Sequence, residues 1–269
     1  MTLETSVGGT VVGHVAALHR YPVKSFQGER VERAAFGPRG MVGDRRLGVV
    51  EVSSGHVLSA KRVHELLDAH ARTTPTGIEL RLPGGDWLPA PSAAAGAAVG
   101  GWLGREVRVE PPPADGARSF SMSFNLDDET QDVFEWTGPP GTFVDLADVH
   151  VLTTASITAA AAEHPDGAWA VDRFRPTVLV EAVGEGYVED AWVGSRLRFG
   201  GVEVVADLPT IRCPMTTRPQ NGLPRDLDIL KSINAHHGGN LGLYCSLVGT
   251  GEVAVGDPVV LLPVLDAEG

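Results

Sequence analysis

Short blocks of apolar residues, many of them alternating with polar ones, recur along the chain and predict strands. Alternation places successive side chains on opposite faces of a sheet, so that one face can pack on a core. The predicted strands are VVGHVAALHRYPV (11–23), RRLGVVEV (45–52), REVRVE (105–110), VHVLT (149–153), TVLVEAV (177–183) and VAVGDPVVLL (253–262). Their spread indicates a sheet or barrel in both halves of the chain.

One hairpin is predicted in the second half. The segments RLRF (196–199) and VEVVA (202–206) flank Gly200 and Gly201. Glycine tolerates the positive φ angles that a tight two-residue turn needs, so we expect the two segments to pair as antiparallel neighbours. The second strand of this hairpin leads toward Cys213.

Helical signals are fewer than strand signals. Residues 154–163 are rich in alanine and follow threonines that can cap a helix. Asp226 is a candidate cap for a further helix, whose apolar stripe would contain Leu227, Leu230 and Ile233. Because helices are the minority, the predicted fold class is mainly β (α+β).

Two shifts in composition interrupt the strand pattern. Residues 84–104 are rich in Gly, Ala and Pro, and residues 111–117 read PPPADGA. Clusters of glycine and proline are typical of loops and linkers. The second shift therefore predicts a boundary between one part over residues 1–112 and another over residues 113–269.

The composition is that of a folded protein. Of the 269 residues, 43% are hydrophobic, which is sufficient for a packed core. No run approaches the roughly 20 apolar residues that cross a bilayer, and the first residues lack the pattern of a secretion signal. We therefore expect a cytoplasmic protein. The formal charge of −12 opposes binding to nucleic acids or anionic membranes, so an anionic ligand would need a local basic pocket.

Sulfur chemistry would depend on one thiol or one pair, because Cys213 and Cys245 are the two cysteines of the chain. Cys213 lies in PTIRCPMTTRPQNG, where the guanidinium of Arg212 would favour the thiolate, the form that binds soft metal ions or attacks electrophiles. A lone cysteine is also common as a small buried apolar residue. A Cys213–Cys245 disulfide is a further alternative, which a reducing cytoplasm opposes.

Basic residues near two predicted strands suit an anionic ligand. In YPVKSF, Lys24 and Ser25 follow a strand, where an ammonium and a hydroxyl group can contact one phosphate. Arg45 and Arg46 open the next strand. The alternative for Lys24 and Ser25 is a solvated turn.

A further basic pair lies in VDRFRPTVLV. Arg173 and Arg175 are two positions apart, so an extended segment would direct both guanidinium groups to one side, where they could bind an anion. The alternative is that these arginines pair at the surface with some of the 34 acidic residues.

Taken together, six segments resemble the MOSC family, including its N-terminal β-barrel region. The segments are YPVKSFQGE (21–29), GDRRLGVVE (43–51), VLTTASI (151–157), DRFRPTVLVE (172–181), TIRCPMTTRPQNG (210–222) and GEVAVGDPVVLL (251–262). In pattern the chain is similar to the mitochondrial amidoxime-reducing component and to bacterial single-chain MOSC proteins. The resemblance implies an N-terminal β-barrel region over residues 1–112 and a MOSC domain with a few helices over residues 113–269.

The resemblance also implies a site for the molybdenum cofactor (Mo-molybdopterin). Cys213 matches the cysteine that ligates molybdenum, which makes it the implied metal ligand and catalytic residue. The residues that match the surroundings of the pterin and its phosphate, or that fall in the same motifs, are Lys24, Ser25, Arg45, Arg46, Ser156, Arg173, Arg175, Thr177 and Arg212. Two positions depart from the family: Phe26 replaces a common cysteine, and Thr177 replaces the usual asparagine.

The activity implied by the resemblance is reduction of N-hydroxylated (N–O) compounds by a molybdenum-dependent oxidoreductase. The chain shows no iron–sulfur or flavin signature, so we expect electrons from a separate partner protein, ferredoxin-like or flavoprotein-like. Two alternatives stay open. One is a carrier of the molybdenum cofactor, or of sulfur held on Cys213 as a persulfide. The other is a repurposed MOSC scaffold without the cofactor, which the changes at Phe26 and Thr177 leave open.

Overall fold

A computed structural model of the chain describes residues 5–6, 8–122 and 131–263. The strands before residue 140 are β1 (Thr5–Ser6), β2 (Gly9–Arg20), β3 (Glu29–Val31), β4 (Arg33–Gly37), β5 (Gly40–Met41), β6 (Gly48–Glu51), β7 (His70–Thr74), β8 (Gly77–Arg81), β9 (Trp87–Ala90), β10 (Val107–Glu110), β11 (Ser119–Met122) and β12 (Phe134–Thr137). The later strands are β13 (Val149–Thr153), β14 (Val178–Ala182), β15 (Arg196–Phe199), β16 (Val202–Ile211), β17 (Asn240–Leu247), β18 (Gly251–Ala254) and β19 (Pro258–Leu261). The α-helices are α1 (Ala93–Leu103), α2 (Thr154–Glu163) and α3 (Asp228–His237). Short 3₁₀ helices cover His64–Asp68, Val171–Arg173, Val188–Trp192 and Pro214–Thr217. The predicted mainly β fold class is confirmed.

The central feature is a closed barrel of seven strands. Its order is β2-β14-β13-β17-β16-β15-β19, and β19 pairs back with β2. Neighbours are antiparallel except β13 and β14, which run parallel. Valine, leucine and phenylalanine side chains fill the interior, among them Val151, Leu197 and Phe199, all fully buried. Closure leaves none of these seven strands with an unpaired edge, which stabilises the barrel.

The barrel is built from both ends of the chain. The early strand β2 lies between β14 and β19, so the barrel is not complete without residues from the N-terminal part. Strand β18, near the C-terminal end, pairs in turn with β4 of the N-terminal part. The proposed division at about residue 112 stays a prediction, but the two parts share strands across it.

The N-terminal part adds small sheets around a core of its own. Strands β7, β8 and β9 form a three-stranded sheet, and β6 pairs with β10. Phe26, one of the two departures from the family pattern, is fully buried in this core and packs with Val23 and Leu47. It therefore serves packing at this position.

Helix α1 was not predicted from the sequence. The stretch 84–104 was interpreted only as a shift in composition, yet Ala93–Leu103 is helical. Ser92 caps its start, because the side chain accepts a hydrogen bond from the backbone N–H of Ala95 at 3.0 Å. Gly104 ends it with a φ of +64°, a conformation that suits glycine.

Several predicted elements are confirmed. Helix α2 covers the alanine-rich segment, and Thr153 caps it. The predicted hairpin is β15 and β16, with Gly200 at a φ of +55°. Helix α3 is confirmed but begins at Asp228, so its N-cap residue is Leu227, without a side-chain cap bond, and not the predicted Asp226. The predicted cap Asp226 accepts a hydrogen bond from the N–H of Asp228 at 3.1 Å.

One predicted strand is two strands. The run 253–262 divides at a turn into the end of β18 and all of β19, which join different sheets. Gly256, with a φ of +89°, allows the turn between them. None of the helices that the structure describes is both long and apolar enough to span a membrane.

Candidate functional site

A cavity of about 350 Å³ lies at one side of the barrel, where the two halves of the chain meet. Residues before 140 supply the segments around positions 24, 45 and 60, and the hairpin of β11 and β12. The C-terminal half supplies residues 143–150, 173–177 and the end of β16. The cavity brings together most of the residues that the sequence singled out.

Two segments of the N-terminal half run side by side at this wall. Val23 and Leu47 form a parallel β-bridge, and the N–H of Lys24 donates to the carbonyl of Leu47 at 2.8 Å. Ser25 and Arg45 both have positive φ angles, +70° and +45°, which regular strands do not allow. The resulting turns place Lys24, Ser25 and Arg45 at the cavity.

Two buried lysines face one carboxylate. Lys24 forms an ion pair with Asp145, and the Nζ of Lys61 lies 2.9 Å from the other oxygen of that carboxylate. Both ammonium groups also lie over the ring of Phe120. Burial lowers the pKa of Lys24. Burial also acts to lower the pKa of Lys61, but the charge of Asp145, the charge of Cys213 and the hydrogen bond to Asp145 together raise that pKa. The two lysines hold the pKa of Asp145 well below its usual range despite its burial.

Tyr21 lies between two arginines. The guanidinium carbons of Arg45 and Arg175 lie 4.7 and 4.1 Å from the centre of its ring. Asp44 forms an ion pair with Arg45 and accepts a hydrogen bond from the N–H of Tyr21 at 2.7 Å. Burial lowers the pKa of Arg175 to about 10, so the guanidinium is still charged at neutral pH. Its Nη1 has no hydrogen-bond partner among the residues that the structure describes.

The prediction that Arg173 and Arg175 face one side from an extended segment is wrong. Arg173 ends a 3₁₀ helix, and Arg175 has a φ of +51°. The guanidinium of Arg173 donates to four backbone carbonyls, those of Ala168, Thr216, Arg218 and Pro224. Both residues line the cavity. Three of the four bonds of Arg173 are to the backbone of the loop that follows Cys213.

Cys213 lies two residues after the end of β16 and directly before the 3₁₀ helix Pro214–Thr217. Its thiol is free and half-buried, and it lines the cavity, whereas Cys245 is fully buried in the barrel. Neither cysteine forms a disulfide. Of the alternatives for Cys213, the structure therefore contradicts the disulfide, and it does not place this residue in a core.

Arg212, the neighbour of Cys213 in the chain, forms a hydrogen bond with His150. Arg212 Nη1 lies 3.3 Å from His150 Nε2, and Arg212 Nη2 donates to the carbonyl of Phe174 at 2.9 Å. Because arginine only donates, Nε2 accepts, and the proton of the imidazole is on Nδ1, which faces the carbonyl of Arg175 at 3.4 Å. Burial, and then the charge of Arg212, lower the pKa of His150 to about 3, so it is neutral.

Of three further residues predicted to bind the cofactor, one lines the cavity and two do not. Thr177 lines the cavity, and its hydroxyl oxygen accepts a hydrogen bond from the N–H of His150 at 3.2 Å. Arg46 is exposed and is not among the residues that line the cavity. Ser156 is fully buried in α2, where its hydroxyl donates to Glu189, and it does not line the cavity either. Direct cofactor contact by Arg46 and Ser156 stays a prediction that this geometry does not support.

Among the cavity residues that the sequence analysis missed, four have side chains that ionise: Lys61, Asp145, His150 and Tyr244. His150 had a usable signal, since it is a polar residue inside the apolar block VHVLT. Lys61 and Asp145 lie in segments without a recognisable pattern, and only the fold brings them together.

Two family models match the chain. Residues 12–137 match the MOSC N-terminal beta barrel domain, and residues 140–260 match the MOSC domain. The chain is a member of the MOSC family. MOSC domains are linked to binding of the molybdenum cofactor.

A comparison of this MOSC protein with solved structures gives matches with TM-scores below 0.5. The YUAD protein from Bacillus subtilis has a TM-score of 0.49 and 13% identity, over 94% of this chain and 97% of that one. A hypothetical protein has a TM-score of 0.43 and 10% identity, over 96% and 71%. YiiM from Escherichia coli has a TM-score of 0.35 and 18% identity, over 44% and 56%. A comparison with curated proteins gave no match.

The lining of the cavity in this MOSC protein fits an anionic cofactor whose metal is bound by a cysteine sulfur. Of the described residues that line it, six are lysines or arginines and one, Asp145, is acidic. Two buried donors, Nη1 of Arg175 and Nε of Arg212, have no partner among the described residues. An unpaired buried donor is costly, and a phosphate oxygen would satisfy it. The half-buried thiol of Cys213 supplies the soft ligand that molybdenum chemistry needs.

Proposed function

We propose that the chain is an oxidoreductase that uses the molybdenum cofactor to reduce N-hydroxylated compounds. One observation carries the proposal: the half-buried thiol of Cys213 lies in the wall of a cavity rich in lysine and arginine, in a protein with a net charge of −12. Basic side chains placed close together around one thiol repel each other, and binding of an anionic cofactor would offset this electrostatic cost.

The residues of the cavity would have two roles: several would bind the pterin phosphate, and one would bind the metal. Arg175 and Arg212 have unpaired donors, and Ser25 uses its oxygen to accept from the N–H of Ala60, which leaves its proton for a ligand. These residues, with Lys24 and Arg45, would bind the pterin phosphate. Cys213 would be the ligand of the metal.

When bound, the cofactor would supply a redox-active metal and two pterin sulfurs. Reduction of an N–OH group to N–H takes two electrons and two protons and releases one water molecule. Burial raises the pKa of Tyr244, so its phenol keeps a proton at the cavity wall at neutral pH. Neutral His150 accepts from Arg212 and holds that guanidinium in place. Apolar residues such as Phe143 and Met122 exclude water from the rest of the wall.

The proposal includes a separate electron donor and a cytoplasmic setting. A ferredoxin-like or flavoprotein-like partner is implied by the resemblance to MOSC reductases, and the cavity opening would have to be accessible to it. A reducing compartment would keep the thiol of Cys213 available as a ligand. Reconstitution of turnover with purified donors tests the first part.

The first experiment measures molybdenum and released pterin in protein purified from a host that makes the cofactor. We expect near-stoichiometric amounts of both in the wild type. In Cys213→Ala, the metal-centred redox signal should change or disappear and turnover of hydroxylamines should be lost, because a sulfur ligand is missing. Cys245→Ala is the matched control, since it removes the other thiol, which is buried in the barrel. Wild-type protein without metal and pterin would refute the proposal and point to a repurposed scaffold.

A carrier function is the second candidate, and the exposure of Cys213 favours it. The thiol is accessible enough to accept sulfane sulfur from a donor as a persulfide. In that case we expect transfer of cofactor or sulfur to an acceptor enzyme, and no turnover of N-hydroxylated compounds with any electron donor. Mass spectrometry of Cys213 and an acceptor-activation assay measure the two outcomes.

A further inference from the structure

The cavity is cationic inside, but part of its wall is apolar and faces solvent. The described part of the chain has ten exposed large apolar side chains, and five of them line this one cavity. The five are Phe134, Trp136, Leu146, Leu208 and Ile211. Single exposed apolar residues are ordinary at protein surfaces, but a group around one cavity is typical of a binding site. We call these five residues the apolar rim.

The local structure turns two members of the rim toward the cavity. Leu208 and Ile211 are three positions apart on β16, so a regular strand would place them on opposite faces. The pairing of β16 with β17 shifts register between Ala206 and Leu208, and again between Pro209 and Ile211. These bulges change the direction of the side chains, and both line the cavity. Ile211 is 62% exposed and lies two residues before Cys213.

Trp136 is held in position on another side of the rim. Its Nε1 donates to the backbone carbonyl of Asp145 at 2.9 Å, and its strand β12 pairs with β11 opposite Phe120. The carboxylate of the same Asp145 binds Lys24 and Lys61. One residue therefore fixes both an aromatic plane at the entrance and the cationic wall behind it. A fixed aromatic surface is suited to a planar apolar group of a ligand.

We propose that the apolar rim selects substrates in which the N–O group is attached to an aromatic or other apolar body, with Trp136, Leu208 and Ile211 as the specificity-determining residues. This inference rests on the proposed reduction of N-hydroxylated compounds. The polar group of such a substrate would reach toward Cys213, while its apolar body would cover the rim and remove it from water. Small polar N–O compounds would leave the rim exposed and would bind more weakly.

The test compares two substrates with the same reacting group. Benzamidoxime and acetamidoxime differ in a phenyl against a methyl group, and each is measured for kcat/KM and, by calorimetry, for binding to the purified protein. We expect the wild type to prefer benzamidoxime in both measurements. Leu208→Asn and Ile211→Asn should each lower that preference about tenfold, as loss of an apolar contact does. Val248→Asn is the control, because Val248 is 50% exposed but does not line the cavity.

The outcomes separate this inference from the proposed function. Tighter binding of benzamidoxime that the rim variants abolish, without turnover of either compound, would support the rim and refute the reductase. Turnover of both compounds with a ratio that the rim variants do not change would refute the rim and leave the reductase. An unchanged ratio accompanied by a change in oligomeric state, seen in sedimentation, would show that the rim binds another copy and would overturn the proposal. No binding and no turnover of either compound would refute both.

Discussion

Arg173 and Arg175 show how the local backbone decides the role of a residue at this site. Both carry a guanidinium and both line the cavity, but they are not equivalent. The donors of Arg173 are used by backbone carbonyls, whereas Arg175 lies against Tyr21 with a donor that no described residue satisfies. Arg173 therefore stabilises the loop around Cys213, and Arg175 is the better candidate for binding an anion.

The first prediction concerns Arg175→Gln. Removal of a charge-assisted hydrogen bond costs about 1.5–3 kcal/mol of binding, so cofactor retention should weaken by one to two orders of magnitude. The stability of the cofactor-free protein should not fall, because burial of this cation is already unfavourable and lowers its pKa. The measurements are pterin content and the unfolding midpoint of the cofactor-free protein.

Arg108→Gln is the control for this prediction, since Arg108 is an exposed arginine of β10 that does not line the cavity. Equal pterin content in both variants would show that Arg175 does not bind the cofactor. A large fall in the unfolding midpoint of Arg175→Gln would show that this arginine is structural instead, as we expect for Arg173.

At the scale of elements, the strands and helices that carry a clear pattern were predicted from the sequence, and the backbone of the site was not. Strand β13, helix α2 and the hairpin of β15 and β16 were predicted because a periodic pattern, a cap or a glycine pair marks each of them. The site depends on irregular backbone: positive φ at Ser25, Arg45 and Arg175, and two bulges in β16. Periodicity does not encode such positions, so the resemblance to a family identified these residues where the pattern could not.

The contacts between site residues that are distant in the chain also could not be predicted from the sequence. Lys61 and Asp145 are 84 positions apart, and each lies in a segment without a motif. Their ion pair exists because the segment after β6, which contains Lys61, and the segment before β13, which contains Asp145, meet at one wall of the cavity. Contacts of this kind depend on tertiary packing, which one sequence without relatives does not reveal.

Helix α1 provides a prediction at the scale of an element. Ser92 accepts a hydrogen bond from the N–H of Ala95, and its hydroxyl donates to the carbonyl of Pro89 at 2.7 Å. Ser92→Ala leaves the donor at the helix start without its cap, so the free energy of unfolding should fall by about 1 kcal/mol. Chemical denaturation measures this change. Molybdenum content should stay at the wild-type level, because α1 does not line the cavity; an equal loss of metal would contradict that separation.

At the scale of the whole molecule, the barrel holds two buried histidines in their neutral form. β2 and β13 contribute His19 and His150, which are both buried. Burial, with the charge of Arg30, lowers the pKa of His19 to about 4, and burial with the charge of Arg212 lowers that of His150 to about 3. In the unfolded chain both pKa values would be near 6.5. The folded protein therefore holds two imidazoles neutral in a pH range where the unfolded chain protonates them.

This difference predicts how stability depends on pH. Below about pH 6.5 the unfolded state binds more protons than the folded state, so the stabilisation is fully present above that pH and is lost as the pH falls toward the folded values. Between about pH 7 and about pH 5.5, each histidine should account for a loss of about 1 kcal/mol in the free energy of unfolding. This range stays above the isoelectric point of about 5.1, where aggregation would interfere.

Chemical denaturation of the wild type, His19→Asn, His150→Asn and the double variant over that range measures the effect. Each single variant should show a smaller fall in the free energy of unfolding with decreasing pH, whatever its stability at neutral pH, and the double variant should show the sum of the two reductions. A wild-type pH dependence in His150→Asn would mean that the imidazole beside Arg212 titrates in the folded state as it does in the unfolded chain. The cavity would then be more hydrated than its buried walls indicate. Water would satisfy the unpaired arginine donors, and they would not need an anion.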